Sequence, residues 1–353
     1  MHVCFIALEY FAWGKYGGIG KATRDIASEL AKRGVKVSAV VPLGADQSSY
    51  EHVDGVDVYG FPLSEYPLMG GLLRRIDADI YHSQDLSLGT WLAKKTCQGV
   101  HLMTCQNPKT KEDWKKVNRF YSLRRRIYNK LIDPQVTRCV KNLDHVYCQA
   151  KYTVKKTRSL YELDYNPTFL PNPVKVPSKI PEKSDTPLVL FLGRFDGEKD
   201  PECFMKLAMR FPDVNFIAVG ACHDPVIDER IRVQYCDVEN LSLPGFITGY
   251  EKRRLLDESW VLVNTSVSEC LPVSFLEACA HGCSILSFHD PDGFASDFGF
   301  HISKYNLDTG LEQLLTDEAW RKRGSLGYNY VKKTHEIQHV IDLHLQEYEK
   351  RVG

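Results

Sequence analysis

The chain lacks the features that mark several classes of protein. Its 353 residues contain no apolar run close to the roughly 20 residues of a membrane span, and the apolar stretch from Val3 to Leu8 is shorter than the core of a signal peptide. Lysine plus arginine and aspartate plus glutamate number 45 each, so no overall charge favours nucleic acid. The 11 cysteines never show a C-x-x-C spacing. This argues against a zinc site or a disulfide framework and predicts a protein of the cytoplasm.

Strand-like and helix-like segments alternate through both halves of the chain, which is typical of doubly wound α/β sheets. The apolar, β-branched runs predict strands at 2–8, 35–41, 79–82, 100–105, 145–148, 188–193, 214–219, 260–264 and 283–288. A chain of this length exceeds what one core usually holds, and five prolines between 170 and 187 break any periodic element. We therefore predict domains at 1–172 and 173–335, followed by helical sequence that ends in a terminal helix at 336–353.

Two glutamates lie where folding alone would not place ionised carboxylates. Glu269 and Glu277 stand eight positions apart, between two runs predicted to be buried strands. Pro272 suits the start of the connecting helix, and Gly282 suits its end. Sugar hydroxyls can hydrogen-bond such carboxylates, and a helix N-terminus can bind phosphate. The alternative is that Glu277 is a solvated surface residue and that the helix dipole favours Glu269.

Two turns have residues that suit a diphosphate. Gly17 and Gly18 follow a predicted strand and precede a helix, so their backbone N–H groups can approach a phosphate. Arg194 and Lys199 follow the strand at 188–193, at the end of a doubly wound sheet where ligands bind. The alternatives are simple loop geometry and exposed turn residues. No acidic residue ends the strand at 35–41, which disfavours a nicotinamide dinucleotide.

These segments together resemble a known family. Ser268-Glu269-Cys270-Leu271-Pro272, followed by Leu276-Glu277-Ala278, is similar to the S-E-G-L-P-x-x-x-L-E-A stretch of the retaining family 4 glycosyltransferases. The segment from Gly193 through Arg194 to Lys199 resembles that family's G-R-x-x-x-x-K element. The resemblance implies the GT-B fold, in which two Rossmann-like doubly wound domains face each other across a cleft and a C-terminal helix crosses back to the first domain.

The resemblance also implies roles for the matched residues. Glu269 would hold hydroxyls of the donor sugar, and Glu277 would hold the ribose. Arg194 and Lys199 would neutralise the leaving diphosphate, with no bound metal and no cofactor besides the donor. The remaining donor contacts would come from the opening glycine turn and the start of the helix, namely Gly17, Gly18, Cys270, Leu271 and Pro272. Cys270 replaces the usual glycine of the family, so its side chain narrows the approach to the sugar.

The implied reaction moves a hexose from a nucleotide-diphospho-sugar to an acceptor hydroxyl with retention of anomeric configuration, as in the transferases of class EC 2.4. Charge develops on the bridging oxygen as the diphosphate leaves, and preorganised cations stabilise it. Two D-x-D sequences, Asp77 to Asp79 and Asp290 to Asp292, match a metal motif by letter only. We interpret both as turn residues.

The predicted acceptor side lies near residues 82–85. His82 ends a predicted strand where the family shows an H-x-H or H-x-H-D element, so the resemblance implies a catalytic role for it. Gln84 stands at the second histidine position and Asp85 follows it, while Gln106 also replaces a frequent histidine. An amide cannot transfer a proton, but it can bind a sugar hydroxyl. A structural role for His82 is the alternative.

A basic block covers residues 109–130, with nine basic residues against two acidic ones and four interleaved aromatics. One hypothesis is a surface for a glycan, lipid-linked or small-molecule acceptor, or peripheral contact with an acidic membrane face through Arg124, Arg125 and Arg126. A solvated helix is the alternative. Two other functions stay open at this stage, a catalytically silent nucleotide-sugar binding protein and a nicotinamide oxidoreductase.

Overall fold

A computed structural model describes residues 1–11, 17–44, 47–120, 123, 126 and 133–353 of the chain. Its contacts divide the protein into two units. Unit 1 comprises Met1–Trp114, Tyr121–Pro173 and His335–Gly353, and unit 2 comprises Lys115–Phe120 and Val174–Thr334. The acceptor and donor roles of the two predicted domains stay predictions. Among the described residues, no helix combines the length and the apolar character needed to cross a membrane.

Unit 1 contains an eight-stranded sheet built on buried apolar runs. Its strands are β1 (His2–Ala7), β2 (Lys36–Pro42), β3 (Tyr50–Val53), β4 (Val56–Phe61), β5 (Ile80–Gln84), β6 (Val100–Cys105), β7 (His145–Cys148) and β8 (Thr168–Phe169). They are arranged β3-β4-β2-β1-β5-β6-β7-β8, and all neighbours are parallel except the antiparallel pair β3 and β4. Every residue of β1 is buried, as expected for a parallel strand with helices on both faces.

The helices that precede residue 173 connect these strands. Among the described residues they include α1 (Gly18–Lys32), α2 (Met69–Ile76), α3 (Leu88–Thr96), α4 (Lys111–Val117), α5 (Asp133–Cys139) and α6 (Thr153–Tyr161). Helix α1 buries an apolar face that includes Ile26 and Leu30, and these side chains join the core around β1 and β2. This is the amphipathic pattern expected of a helix that covers a sheet.

Unit 2 contains a six-stranded parallel sheet. Its strands are β9 (Leu188–Leu192), β10 (Asn215–Val219), β11 (Leu241–Gly245), β12 (Val261–Asn264), β13 (Ser284–Ser287) and β14 (Gly299–His301), in the order β11-β10-β9-β12-β13-β14. The helices of this unit are α7 (Pro201–Ala208), α8 (Pro225–Gln234), α9 (Gly249–Glu258), α10 (Val273–Ala280), α11 (Phe294–Phe298), α12 (Leu307–Leu315) and α13 (Ala319–Thr334). The core lies around Phe191, Phe204 and Phe216, whose rings contact each other in sequence.

The C-terminal helical sequence is two helices. Helix α13 ends at Thr334, and α14 (Ile337–Val352) begins after Glu336, whose side chain accepts hydrogen bonds from the backbone N–H groups of Gln338 and His339. This acidic cap starts a new helix. The apolar side chains of α14, among them Ile341 and Tyr348, join the core of unit 1. The prediction of a C-terminal helix that returns to the first domain is confirmed.

Candidate functional site

The strand order of unit 2 places one pair of loops at a position suited to ligand binding. From β9 the chain builds outward through β10 and β11, and then returns to add β12 on the other side of β9. Ligands of doubly wound sheets bind outside the carboxyl ends of the strands at such a reversal. The two loops are those that follow β9 and β12, and hydrogen bonds join them. The N–H of Val267 donates to the carbonyl of Glu198 at 2.8 Å, and the Thr265 hydroxyl donates to the carbonyl of Asp200 at 2.8 Å.

Glu269 lies in the loop after β12 and contacts a lysine from the loop after β9. Nζ of Lys199 lies 2.5 Å from Oε1 of Glu269. The hydroxyl of Ser266 and the amide of Asn264 donate to the same oxygen at 2.6 and 3.2 Å. Burial alone raises the pKa of Glu269, but the positive charge of Lys199 and these hydrogen bonds outweigh it and hold the pKa below its ordinary value. Glu269 is therefore an ionised carboxylate with a fixed orientation.

Glu277 is held by a residue that the sequence did not single out. Nζ of Lys252 in α9 donates to both carboxylate oxygens of Glu277, at 2.8 and 2.7 Å. Only 7% of Glu277 is exposed, although it lies in the second turn of α10 beside apolar neighbours. The alternative that Glu277 is a solvated surface residue is wrong. Its charge is compensated by Lys252, as a buried carboxylate requires.

Arg194 lies in the same loop as Lys199. Its Nε is 3.2 Å from Oδ2 of Asp196, and one of its terminal nitrogens is 4.0 Å from the carboxylate of Glu198. The side chain is 41% exposed. The structure thus brings Arg194, Lys199 and Glu269 to one edge of the unit 2 sheet, with Arg194 at its more solvated side.

Helix α10 begins and ends close to the predicted residues. Pro272 takes the N-cap position with extended backbone angles, one residue before the first helical residue. Cys270 and Leu271 are buried beside it. At the other end Gly282 adopts a φ of 77°, and the N–H of Cys283 donates to the carbonyl of Ala278 at 2.9 Å. The predicted end of the helix at a left-handed glycine is confirmed.

A carboxylate lies against the glycine turn of unit 1. Gly17 is the N-cap of α1, and a Cβ placed on Gly17 would lie 2.1 Å from Oε2 of Glu9. That oxygen is buried and has no hydrogen-bond partner among the residues that the structure describes. A negative group in this position repels a diphosphate. The predicted phosphate contact of Gly17 and Gly18 stays a prediction, and it requires the side chain of Glu9 to move away from the turn.

The structure places His82, for which the resemblance implies a catalytic role, in the core of unit 1. The side chain is fully buried in unit 1. One ring nitrogen hydrogen-bonds to the hydroxyl of Tyr348 at 2.6 Å and the other to the hydroxyl of Thr104 at 2.8 Å. Burial, together with nearby His344, lowers the pKa of His82 well below its ordinary value. A neutral ring with both nitrogens engaged in the core joins α14 to the sheet. This favours the structural alternative for His82, while its catalytic role stays a prediction.

Gln84 and Gln106 belong to a row of buried amides at the carboxyl ends of β5 to β8. Nε2 of Gln106 donates to Oε1 of Gln84 at 3.0 Å and to Oδ1 of Asn172 at 3.2 Å, and Asn172 donates back at 2.9 Å. Gln149 donates to the backbone carbonyl of Gln106 at 3.2 Å. Within the described part of the chain, Nε2 of Gln84 is buried without a hydrogen-bond partner. The two predicted acceptor-side glutamines are thus in direct contact with each other.

Asp85 adjoins this row in an unusual backbone conformation. Its φ is 74°, a left-handed value that costs energy in a non-glycine residue and occurs often at functional sites. Burial raises the pKa of Asp85, although the backbone N–H groups of Leu86, Gln106 and Asn107 partly offset this. The structure therefore brings Gln84, Asp85 and Gln106 together, while their role toward an acceptor stays a prediction.

Replacing Gln106 by leucine is expected to lower the free energy of unfolding of unit 1 by about 2–6 kcal/mol, which is about 1–3 kcal/mol for each of two residues that lose a partner. The leucine would leave buried polar atoms of Asn172 and Gln84 without partners, and the cost of each such group is of that size. Urea denaturation followed by circular dichroism measures the change. The matched control is Gln98→Leu, because Gln98 is exposed in the same unit. If the Gln106 variant is as stable as the wild type, the buried amide network does not stabilise unit 1.

The three predicted arginines and the two D-x-D sequences are the remaining features of the sequence. Arg124 and Arg125 lie outside the described residues, and Arg126 is exposed. The interpretation of the two D-x-D sequences as turns is confirmed. Asp77 has a left-handed φ of 48° at the end of α2, and the Asp290 carboxylate accepts the backbone N–H groups of Ala295 and Ser296. Among the described residues, no group of three or more histidine, cysteine, aspartate or glutamate side chains is arranged to hold a metal ion.

Sequence reasoning missed several residues of these clusters, among them Lys252, Gln149 and Asn172. Lys252 precedes Glu277 by 25 positions in a helix that carries several exposed cations, so no local pattern marks it. Gln149 follows β7 directly. A polar residue at the carboxyl end of each neighbouring strand was the available signal for this row.

Comparison with known proteins agrees with this geometry. Residues 16–176 match the family described as Glycosyltransferase Family 4, and residues 175–329 match Glycosyl transferases group 1. The sucrose-phosphate synthase of Thermosynechococcus elongatus has a TM-score of 0.77 at 16% identity, with 99% of this chain and 98% of that chain covered. HepE of Anabaena, solved with UDP and glucose, has a TM-score of 0.74 at 14% identity, with 98% and 99% covered.

One human relative, a component of phosphatidylinositol N-acetylglucosaminyltransferase, is 23% identical over 310 residues. The match covers 81% of this chain and 61% of the length of that relative. The two family matches adjoin each other and together run from residue 16 to residue 329, and the solved structures share the two-sheet architecture. The chain therefore belongs to the family 4 glycosyltransferases and has the GT-B fold.

Proposed function

We propose that this protein transfers a sugar from a nucleotide-diphospho-sugar to an acceptor hydroxyl, with retention of anomeric configuration and without a bound metal. The observation on which the proposal depends is the contact between Lys199 and Glu269 at the strand reversal of unit 2. A cation and a carboxylate, both with restricted exposure, are the groups needed beside a diphosphate and the sugar attached to it. Glu277 supplies a second fixed carboxylate eight residues further along the chain.

The chemistry follows from the charges at this edge. When the bond between sugar and diphosphate breaks, negative charge develops on the bridging oxygen and positive charge develops on the sugar. The ammonium of Lys199 and the guanidinium of Arg194 stabilise the first charge, and fixed groups of this kind are usually the largest catalytic contribution. The Glu269 carboxylate accepts hydrogen bonds from sugar hydroxyls and thereby orients the ring. Two cations at the diphosphate supply the neutralisation that a metal ion gives in other enzymes.

The ligands of the structural neighbours support a nucleotide-sugar donor. HepE was solved with UDP-glucose, at a TM-score of 0.73, and the catalytic domain of starch synthase IV of Arabidopsis thaliana was solved with ADP. The human relative is named as part of an N-acetylglucosaminyltransferase. A hexose or N-acetylhexosamine donor is therefore part of the proposal, and retention is proposed because the Glu269 and Glu277 pattern resembles that of the retaining enzymes.

A lipid-linked or glycan acceptor completes the proposal, with peripheral contact at an acidic membrane face through the basic block at 109–130. The name of the human relative includes the lipid phosphatidylinositol, and the exposed Arg126 belongs to that block. Sedimentation with vesicles of phosphatidylserine and phosphatidylcholine tests the contact. If no more protein sediments with these vesicles than with vesicles of phosphatidylcholine alone, the proposed membrane contact is wrong.

The nucleotide proposal is tested by binding and turnover. We expect UDP, GDP or ADP to raise the Tm of the protein and NAD to leave it unchanged. The matching sugar donor should release nucleotide diphosphate, at least by slow hydrolysis, at the same rate with and without EDTA. Nuclear magnetic resonance of the first product reports its anomeric configuration. A Tm shift with NAD alone would indicate an oxidoreductase, and inhibition by EDTA would remove the metal-free mechanism.

A catalytically silent binding protein of the same fold is the second candidate. It is favoured by the amides at Gln84 and Gln106, which stand where the family often has histidines and which lie in a buried network. Such a protein would bind the nucleotide sugar and leave it intact. Any release of nucleotide diphosphate that depends on Glu269 therefore separates the two candidates.

A further inference from the structure

The ion pair between α9 and α10 holds a carboxylate in apolar surroundings. Glu277 is surrounded in α10 by Phe275, Leu276 and Ala278, each fully buried. Two apolar side chains of similar size are often as stable as a buried ion pair or more so, because both charges must lose water. Of the two charged residues only Glu277 is buried here, because the side chain of Lys252 is 23% exposed. The cost of burying this carboxylate points to a use for it.

A second contact already joins the same two helices. Nδ1 of His281, one turn after Glu277, lies 2.6 Å from Oδ1 of Asp257 in α9. Helix α9 also packs on β9 through buried Leu255 and Leu256. Several contacts thus set the position of α9 without Lys252. The contact of Lys252 with Glu277 therefore acts on the carboxylate itself and not on the packing of the helix.

Lys252 contacts the Glu277 carboxylate at two points. Lys252 donates to both oxygens of Glu277 at nearly equal distances, 2.8 and 2.7 Å. This arrangement keeps the carboxylate ionised and fixes the plane in which its two oxygens lie. A carboxylate has about four lone-pair sites in total. Two oxygens held side by side match a vicinal diol, whose two hydroxyls can each donate one hydrogen bond.

We propose that Lys252 is a positioning residue of the nucleotide site, which holds Glu277 in the orientation that binds the ribose diol of the donor. The inference rests on the proposed function. Lys252 itself does not touch the reacting atoms. Its effect therefore appears in binding of the nucleotide, and specifically in the preference for a nucleotide that has both ribose hydroxyls.

The test measures the dissociation constants of UDP and GDP, each with its 2′,3′-dideoxy form, by isothermal titration calorimetry. Wild-type protein should bind the ribonucleotide about 10-fold or more tightly than the dideoxy form. The loss of one hydrogen bond to a charged group weakens binding by about this factor. Lys252→Met should remove most of this ratio and leave affinity for the dideoxy form within about threefold of wild type. Lys252→Arg, which keeps the cation, should retain part of the ratio.

The matched control is Arg254→Met, two positions along α9, whose side chain is 62% exposed. It should keep the wild-type ratio. Lys252→Met leaves a buried carboxylate without its cation and can unfold, so the double variant Lys252→Met with Glu277→Leu serves as a second test. It replaces both charges with apolar groups, and it should fold and show no ribose preference.

The outcomes separate the inference from the proposed function. If wild type binds neither UDP nor GDP, both fail. If wild type binds a nucleotide without preferring the ribose diol, or if Lys252→Met or the double variant keeps the preference, this inference alone is overturned. Loss of the preference in Lys252→Met, with the control unchanged, supports it.

Discussion

Replacing Lys199 by methionine is expected to lower the rate of donor turnover by about 10²- to 10³-fold, the usual cost of losing one preorganised group that stabilises developing charge. Methionine keeps the length of the side chain but removes its charge. The leaving diphosphate then keeps Arg194 of the loop after β9 but lacks the ammonium of Lys199 from the same loop. The rate of nucleotide diphosphate release at saturating donor concentration measures the loss.

The same substitution has a second consequence at Glu269. The side chain of Glu269 is only 9% exposed, and the positive charge of Lys199 is the largest influence that lowers its pKa. Without Lys199, burial dominates and the pKa rises, so the carboxylate takes up a proton more readily. A Glu269 that is partly protonated accepts fewer hydrogen bonds from the sugar, which adds to the loss of activity.

A double-mutant cycle shows whether the two residues act as a unit. If they do, Lys199→Met combined with Glu269→Gln should be little worse than the more damaging single variant, since groups that act together are far from additive. The control is Lys206→Met, because Lys206 lies in the following helix, α7, with a side chain that is 57% exposed. Turnover of the Lys199 variant within threefold of wild type would contradict the proposed mechanism.

The strands of both sheets were largely predictable because buried parallel strands require continuous apolar runs. All nine predicted strands are present. The strands that escaped prediction are short or lie at or near a sheet edge. Tyr50–Val53 pairs antiparallel at one edge, Gly299–His301 has three residues, and Thr168–Phe169 has two. Few apolar residues are needed in such strands, so they leave little trace in the sequence.

The candidate site was predictable only where it depends on local motifs. Lys199 and Glu269 each lie at a strand end within a recognisable motif, and the parallel sheet brings those ends together. The pairing of Lys252 with Glu277 depends on how α9 packs beside α10, which no spacing encodes. His82 shows the converse. A strand-end histidine looks the same in a sequence whether it faces a substrate or a core, and its partner Tyr348 is 266 positions away.

Acidification from pH 7.5 to pH 5 is expected to destabilise unit 1 by several kcal/mol. His82, His335 and His344 are buried in this unit with exposures of 1% or less. Burial lowers the pKa of His335 to about 4 and that of His344 to about 3, and it lowers the pKa of His82 well below its ordinary value. At His335 the hydrogen bond to the carbonyl of Asn172 opposes the effect of burial on the pKa, and the nearby charge of Lys151 adds to it.

The sign follows from proton binding in the two states. Unfolded histidine binds a proton below about pH 6.5, whereas these folded histidines stay neutral to much lower pH. The stability is therefore complete above about pH 6.5 and falls as the pH drops toward the folded pKa values. At pH 5 each histidine costs about 2 kcal/mol, so three together cost about 6 kcal/mol. Typical domains have a total stability of about 5–15 kcal/mol.

Urea denaturation at pH 7.5 and pH 5 measures this difference directly, with circular dichroism as the signal. His344→Leu removes one titrating group and should reduce the loss of stability between the two pH values by about 2 kcal/mol. It also removes the hydrogen bond to Tyr348 at 3.1 Å, which lowers stability at both pH values equally. The exposed His223 provides the control, since His223→Gln should leave the pH dependence unchanged. If His344→Leu keeps the full wild-type loss on acidification, neutral burial of that histidine is not its cause.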